Sequence, residues 1–127
     1  MNTLAFVVDD SPVNLNIATV LLQRTGWAVE AFASALPMLE RLDAQQPFVI
    51  LLDISMPGMS GEEACRRIRA NPALDAIRLV AYTAHAHDED HRRYIACGFD
   101  AVLTKPITPS SVVETLGTAA SPVPRTP

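Results

Sequence analysis

Four apolar runs in this chain end abruptly on residues that a hydrophobic core does not want. Asp9 and Asp10 follow Ala5-Phe6-Val7-Val8, and Asp53 follows Phe48-Val49-Ile50-Leu51-Leu52. Thr83 follows Leu79-Val80-Ala81-Tyr82, and Thr104-Lys105 follow the short run Ala101-Val102-Leu103. If these runs are strands of one parallel sheet, all of these polar residues share one rim. Three carboxylates converging there repel, each close pair by roughly 1 to 4 kcal/mol depending on the effective dielectric. A cation must offset that repulsion, and a hard divalent ion with oxygen ligands, Mg2+, fits best. Lys105 is the only Lys among ten basic residues, the other nine being Arg. Its compact ammonium suits holding a phosphate oxygen as a point charge, and Thr83 adds a hydroxyl donor. Carboxylate, metal, lysine and hydroxyl together describe phosphoryl transfer to an aspartate, with Asp53, from the central strand, as the nucleophile. Such transfer spreads charge over equatorial oxygens, so catalysis is mostly positioning and electrostatic stabilisation. Any one of these acids alone has an ordinary explanation as a solvated residue at a strand end. Their conjunction on one rim points to a site.

The elements that must position them follow from the hydrophobic pattern. The runs at 5–8, 48–52 and 79–82 are continuous rather than alternating, as strands buried on both faces require. Trp27 to Phe32 is a weaker strand whose Glu30 marks a sheet edge, and 101–103 is a short strand at the other edge. Helix signals lie between. Ser11-Pro12 opens a helix that Gly26 closes, and Ser60 with Glu63 spells a capping box for a helix to about Ala70. Ser34 to Leu42 is helical, with Pro37 confined to its first turn. Asp88-Glu89-Asp90 load a helix start with negative charge and Gly98 ends it, while Thr108-Pro109 open a last helix carrying Val112, Val113 and Leu116. Five βα units in a row predict an α/β fold: a doubly wound five-stranded parallel sheet, (βα)5, in the flavodoxin-like order 2-1-3-4-5. Ligands of such sheets bind beyond the carboxyl ends of the strands where the order reverses, here between the first and third. Residues 1–120 form this domain, and the Pro-rich stretch 121–127 reads as a flexible tail or linker.

Composition narrows the classes. The chain has 127 residues, 49% hydrophobic and 19% charged, with net charge −4. That is too apolar for a disordered protein and too acidic for a nucleic-acid-binding face. The apolar start, Leu4 to Val8, is far short of a membrane span and lacks the leader of a signal peptide. Cys65 and Cys97 stand in neither CxxC nor zinc-ribbon spacing, which suits a reducing cytoplasm, and both read as small buried helix residues rather than a disulfide. His87 and His91 are four apart on a predicted helix but do not spell HExxH, so a solvated helix start is expected rather than a metal site. Arg66, Arg67 and Arg69 read as a solvated helix face, and Trp27 and Phe32 as packing under the edge strand. There is no GxxxxGK loop and no GxGxxG, which excludes P-loop and dinucleotide chemistry.

Four blocks together closely resemble the receiver domain of bacterial two-component response regulators: Val7-Val8-Asp9-Asp10-Ser11, Leu52-Asp53-Ile54-Ser55-Met56-Pro57-Gly58-Met59-Ser60-Gly61, Tyr82-Thr83-Ala84 and Leu103-Thr104-Lys105-Pro106. The resemblance runs from Leu4 to about Leu116, and its texture is that of single-domain regulators and hybrid-kinase receivers. It implies that Asp53 accepts a phosphoryl group from a phosphohistidine on a histidine kinase or phosphotransfer protein. It implies that Asp10, Asp53 and the main-chain carbonyl of Ser55 ligate Mg2+, with Asp9 reaching the ion through water. Lys105 would bridge to phosphoryl oxygens, Thr83 would swing toward them, and the Ala84 N–H would donate to them. A cis peptide bond before Pro106 is also implied, and Ser55 and His85 occupy positions that tune hydrolysis of the phosphoryl group. Neither carries a carboxylate or amide to orient water, so a long-lived phosphoryl group is expected.

One position departs from the family pattern. The aromatic residue that usually pairs with the Thr, three before the Lys, is Val102 here. That predicts a muted switch, or one relayed through Tyr82 or Phe99, with phosphoryl acceptance intact. The resulting expectation is a cytoplasmic signalling module that changes partner binding or relays phosphate. It does not turn over a free substrate and touches neither nucleic acid nor membrane. The rival reading is a Mg2+-dependent aspartate-nucleophile phosphohydrolase of haloacid dehalogenase type. That family, however, places its nucleophile in a DxD motif after the first strand, where Asp9 and Asp10 are adjacent here.

Overall fold

The computed structural model describes residues 2–84 and 87–125. Strands β1 (Leu4–Val8), β2 (Ala28–Phe32), β3 (Val49–Asp53), β4 (Arg78–Thr83) and β5 (Ala101–Thr104) alternate with helices α1 (Pro12–Arg24), α2 (Ala35–Arg41), α3 (Gly61–Arg69), α4 (Asp88–Cys97) and α5 (Pro109–Leu116). A 3-10 turn, Pro72–Leu74, precedes β4. All five strands are parallel, in the order β2-β1-β3-β4-β5. Edge strand β2 keeps Glu30 at its margin, where Arg41 of α2 donates to it at 2.8 Å. Trp27 lies just before β2 and buries its ring beneath the sheet against Phe48.

The alternation of side chains along each strand splits the core into two layers. Phe6, Val8, Ile50, Leu52, Leu79 and Ala81 face α2, α3 and α4, which contribute Met38, Ala64, Cys65, Ile68 and Tyr94. Ala5, Val7, Leu51, Val80, Tyr82 and Leu103 face α1 and α5, which contribute Ala18, Leu22, Val112 and Leu116. Because both faces are covered, β3 and β4 are buried at every position, which is why their sequences do not alternate.

Local capping follows the sequence signals with one exchange. Ser11 and Ser60 each accept a hydrogen bond from the N–H three residues on. The Glu63 carboxylate lies 3.8 Å from Arg67. A reciprocal box closes instead at Thr108 and Ser111.

One expectation about the charged segments does not hold. Arg69 does not join Arg66 and Arg67 on the solvated face of α3. It turns inward to donate to Asp100 at 2.8 Å and to the Gly98 carbonyl at 3.0 Å. The stretch after α5 makes contacts back to the domain as far as Arg125. Gly117 turns the chain with φ of 74°, Val123 N–H donates to the Leu116 carbonyl, and Ala119 is buried with its N–H on the Thr25 carbonyl. Arg125 then donates to Asp100 at 2.9 Å and to the Asp75 carbonyl at 2.8 Å. Composition could not show this, because the anchoring acid lies 25 residues away in sequence. Residues 126–127 lie outside the described residues.

Candidate functional site

Strand register assembles the rim. Val8 pairs with Leu52, so Asp9 and Asp53 leave adjacent strands side by side. Asp53 in turn pairs with Tyr82, and Thr83 pairs with Thr104 one step before Lys105. The Lys105 N–H donates to the Thr83 carbonyl at 2.8 Å, fixing the chain as it leaves β5. The Lys105–Pro106 peptide bond is cis.

Asp9, Asp53 and Thr83 are nearly sealed from solvent, at 1%, 3% and 2% exposure, whereas Asp10 is exposed. One carboxylate oxygen from each Asp lies within 4.8 Å of the others. Asp9 Oδ1 accepts from the Ser11 N–H at 2.9 Å, and Asp53 Oδ1 accepts from the Ser55 N–H at 3.3 Å. Lys105 Nζ stands 3.0 Å from Asp9 Oδ2 and 3.4 Å from Asp53 Oδ1, a single ammonium set between two buried carboxylates. Asp9 Oδ2 is buried and receives no well-aligned hydrogen bond. One ammonium does not neutralise three carboxylates. Burial raises the Asp53 carboxyl to about 6, the Asp9 charge adds to the rise, and Lys105 opposes it. An under-coordinated buried oxygen, an exposed third carboxylate and an all-oxygen donor set fit Mg2+.

Two contributors carry no chemical label in the sequence. The ring of Tyr82 lies under Lys105, with Nζ 4.5 Å from its centroid, so the ammonium is held from below by a π face and from the side by carboxylates. Burial and the charges of Asp9 and Asp53 raise the Tyr82 hydroxyl to about 12, which keeps the phenol neutral. Gly61 is the second: a Cβ there would run into the Asp53 carbonyl, and its N–H donates to the Ile54 carbonyl at 3.0 Å. A side chain at this point would push α3 off the end of β3 and displace Asp53. The pattern Leu-Asp-x-x-x-Pro-Gly-x-x-Gly was visible, but which glycine touches the Asp backbone is a tertiary fact.

The remaining predicted residues are placed around this centre. Ser55 is exposed two residues after Asp53, and Ala84 is exposed directly after Thr83. Val102 pairs with Ala81 and packs, half-buried, on the same layer as Phe99 and Tyr94, whereas Tyr82 faces the opposite layer. His85 lies outside the described residues. Among those described, Asp9, Asp10 and Asp53 are the one acidic, His or Cys group of metal-binding arrangement, and His87 and His91 are not part of it.

A buried aspartate at the carboxyl end of the middle strand, paired with a lysine and flanked by further acids, defines a phosphoaspartyl signalling domain of doubly wound α/β type. The comparisons with known proteins agree. Residues 5–117 match the response regulator receiver domain, and the chain belongs to that family. It is 34% identical over 108 residues to the transcriptional regulatory protein CreB of Escherichia coli, covering 84% of this chain and 46% of that protein. It is 36% identical over 104 residues to the sensor protein GacS of Pseudomonas syringae, covering 80% of this chain and 12% of that protein. The chain therefore spans about half of one relative and a small part of the other. In structure it resembles the chemotaxis protein CheY4 of Vibrio cholerae, with a TM-score of 0.84 and 25% identity over 91% of this chain and 96% of that one. The chain is a receiver domain, homologous to those of response regulators and hybrid kinases, and its site fits a phosphoacceptor. The phosphohydrolase reading has no support.

Proposed function

We propose that this chain takes a phosphoryl group from a phosphohistidine of a histidine kinase or phosphotransfer protein onto Asp53, with Mg2+ bound by Asp10, Asp53 and the Ser55 carbonyl. The observation that carries the reading is Lys105 Nζ bridging Asp9 and Asp53 at 3.0 and 3.4 Å in a buried, acid-rich pocket. In the transfer an Asp53 oxygen bonds to phosphorus as the phosphorus–nitrogen bond to imidazole breaks, and the imidazole leaves. Mg2+, when bound, supplies the positive charge that lets carboxylates and phosphoryl oxygens share the pocket. Lys105 moves from the Asp53 carboxylate to a phosphoryl oxygen, retaining Asp9 as its anchor. The Thr83 hydroxyl and the Ala84 N–H donate to the remaining oxygens. Asp9, its Oδ1 held by the Ser11 N–H, would reach the ion through water.

The output is a change in partner binding or onward relay of phosphate, in the cytoplasm, without turnover of a free substrate. Similarity to a sensor protein and a transcriptional regulator supports a kinase as the phosphodonor. Among the described residues no helix is long and apolar enough to cross a membrane. Thr83 and Val102 share one layer of the sheet, so a movement of Thr83 meets a short branched side chain in place of a ring. That supports a muted switch, with Phe99 in the same layer as its relay. Ser55 and His85, lacking a carboxylate or amide, leave the phosphoryl group long-lived.

Acetyl phosphate with Mg2+ tests the reading. The expected result is one added phosphoryl group, mapped to Asp53, lost slowly and absent from Asp53→Asn. Rapid turnover of phosphomonoesters, or labelling that survives Asp53→Asn, overturns it.

A further inference from the structure

The two cysteines, 32 residues apart in sequence, meet where α3 packs on α4, outside the phosphoryl site. Each thiol donates to a main-chain carbonyl of the other's helix: Cys65 Sγ to the Cys97 carbonyl at 3.5 Å, and Cys97 Sγ to the Glu62 carbonyl, one turn before Cys65, at 3.2 Å. Cys65 Sγ also lies 3.3 Å from where a Cβ on Gly98, the residue after Cys97, would sit. Both are free. Their environments differ: Cys65 is fully buried, whereas Cys97 is half-exposed at the last turn of α4.

We propose that Cys65 and Cys97 are a redox pair, with Cys97 as the residue that meets a hydroperoxide and Cys65 as the one that resolves it into an intramolecular disulfide. The Cys97 thiolate attacks one peroxide oxygen; the oxygen–oxygen bond breaks, Cys97 becomes a sulfenic acid, and the departing oxygen leaves as hydroxide or alkoxide and takes up a proton. The Cys65 sulfur then attacks Cys97 Sγ; the sulfur–sulfur bond forms, the sulfur–oxygen bond breaks, and hydroxide leaves with the Cys65 proton as water. With hydrogen peroxide, the sum is two thiols and one peroxide giving one disulfide and two waters. Burial first, and then the neighbouring Cys97, push the Cys65 thiol up to about 12, so the partly exposed Cys97 is the thiol that meets the oxidant first. The disulfide ties the C-terminal end of α4 to α3, and a dithiol reductant reverses it by exchange.

The test is treatment of the full chain with hydrogen peroxide, followed by intact mass and peptide mapping. The expected product is monomeric, lighter by two hydrogens, closed to thiol alkylation, restored by a dithiol, and linked between the Cys65 and Cys97 peptides. Cys65→Ala should stop at a Cys97 sulfenic acid that a dimedone probe traps, and Cys97→Ser should keep an unmodified Cys65. Two unreacted thiols, oxidation of Cys97 to sulfinic acid without a bridge, or disulfides only between molecules would each overturn the proposal. The wild-type mass decides the question even if Cys65→Ala does not fold.

Discussion

Asp53→Asn should stabilise the metal-free protein, although it removes the proposed phosphoacceptor. In the fold the Asp53 carboxyl is raised from 3.8 to about 6, chiefly by burial and then by the Asp9 charge, with the attraction of Lys105 already opposing the rise. At pH 8 the group is ionised both folded and unfolded, so the folded state bears the cost of that shift, about 3 kcal/mol. Asparagine carries no charge and keeps an oxygen to accept from the Ser55 N–H, and Lys105 keeps Asp9 at 3.0 Å. The sign with pH follows. Below the unfolded value the acid is protonated in both states and costs nothing; stability is lost as pH rises through about 4 to 6 and stays lost above. The gap between variant and wild type should shrink to a small fraction of its pH 8 size at pH 4. Urea unfolding in EDTA at pH 8 and pH 4 measures both. Added Mg2+ should then narrow or reverse the gap at pH 8, because binding to the wild-type folded state contributes about 1.4 kcal/mol per tenfold excess over the dissociation constant. A variant less stable than wild type in EDTA at pH 8, or a gap that does not depend on pH, would refute this account of the pocket's electrostatics.

Other substitutions separate the roles around the site. Tyr82→Leu removes the ring 4.5 Å below Lys105 Nζ and should slow phosphorylation by acetyl phosphate about 2- to 30-fold, while Tyr82→Phe stays near wild type; equal rates for Leu and Phe would show that the ring contact does not matter. Lys105→Arg should keep the circular dichroism of the fold but weaken the phosphorylation-dependent change in partner binding, because a long forked cation fits poorly between Asp9 and Asp53. Normal switching in that variant would remove the role given to the lone lysine. Arg125→Ala loses the ion pair to Asp100 and the hydrogen bond to the Asp75 carbonyl, and the urea midpoint should fall by an amount equivalent to about 0.5 to 1.5 kcal/mol. An unchanged midpoint would mean that the C-terminal segment rests on the domain without holding it.

Much of the candidate site was legible in the chain because its residues are attached to strong strand signals. Asp9, Asp10, Asp53, Thr83 and Lys105 each sit at a fixed step beyond an apolar run, and parallel strands with right-handed crossovers bring such steps to one rim whatever fills the loops. The order 2-1-3-4-5 and the two edge strands followed from the same alternation. What stayed hidden has a common cause, since it depends on contacts between side chains that no local pattern links. Tyr82 reads as one more buried strand residue until register places its ring under Lys105. Gly61 reads as one of several loop glycines until its Cα is pressed against the Asp53 carbonyl. Arg69 and Arg125 look like surface cations and a tail until both converge on Asp100. Cys65 and Cys97 are two isolated thiols in sequence and neighbours in space. The order of residue types along the chain thus determined which groups reach the rim and the chemistry they can share. Only packing decided how deeply each carboxylate is buried, where the single ammonium rests among them and which distant residues touch, because desolvation and ion pairing depend on distances that only the folded chain defines.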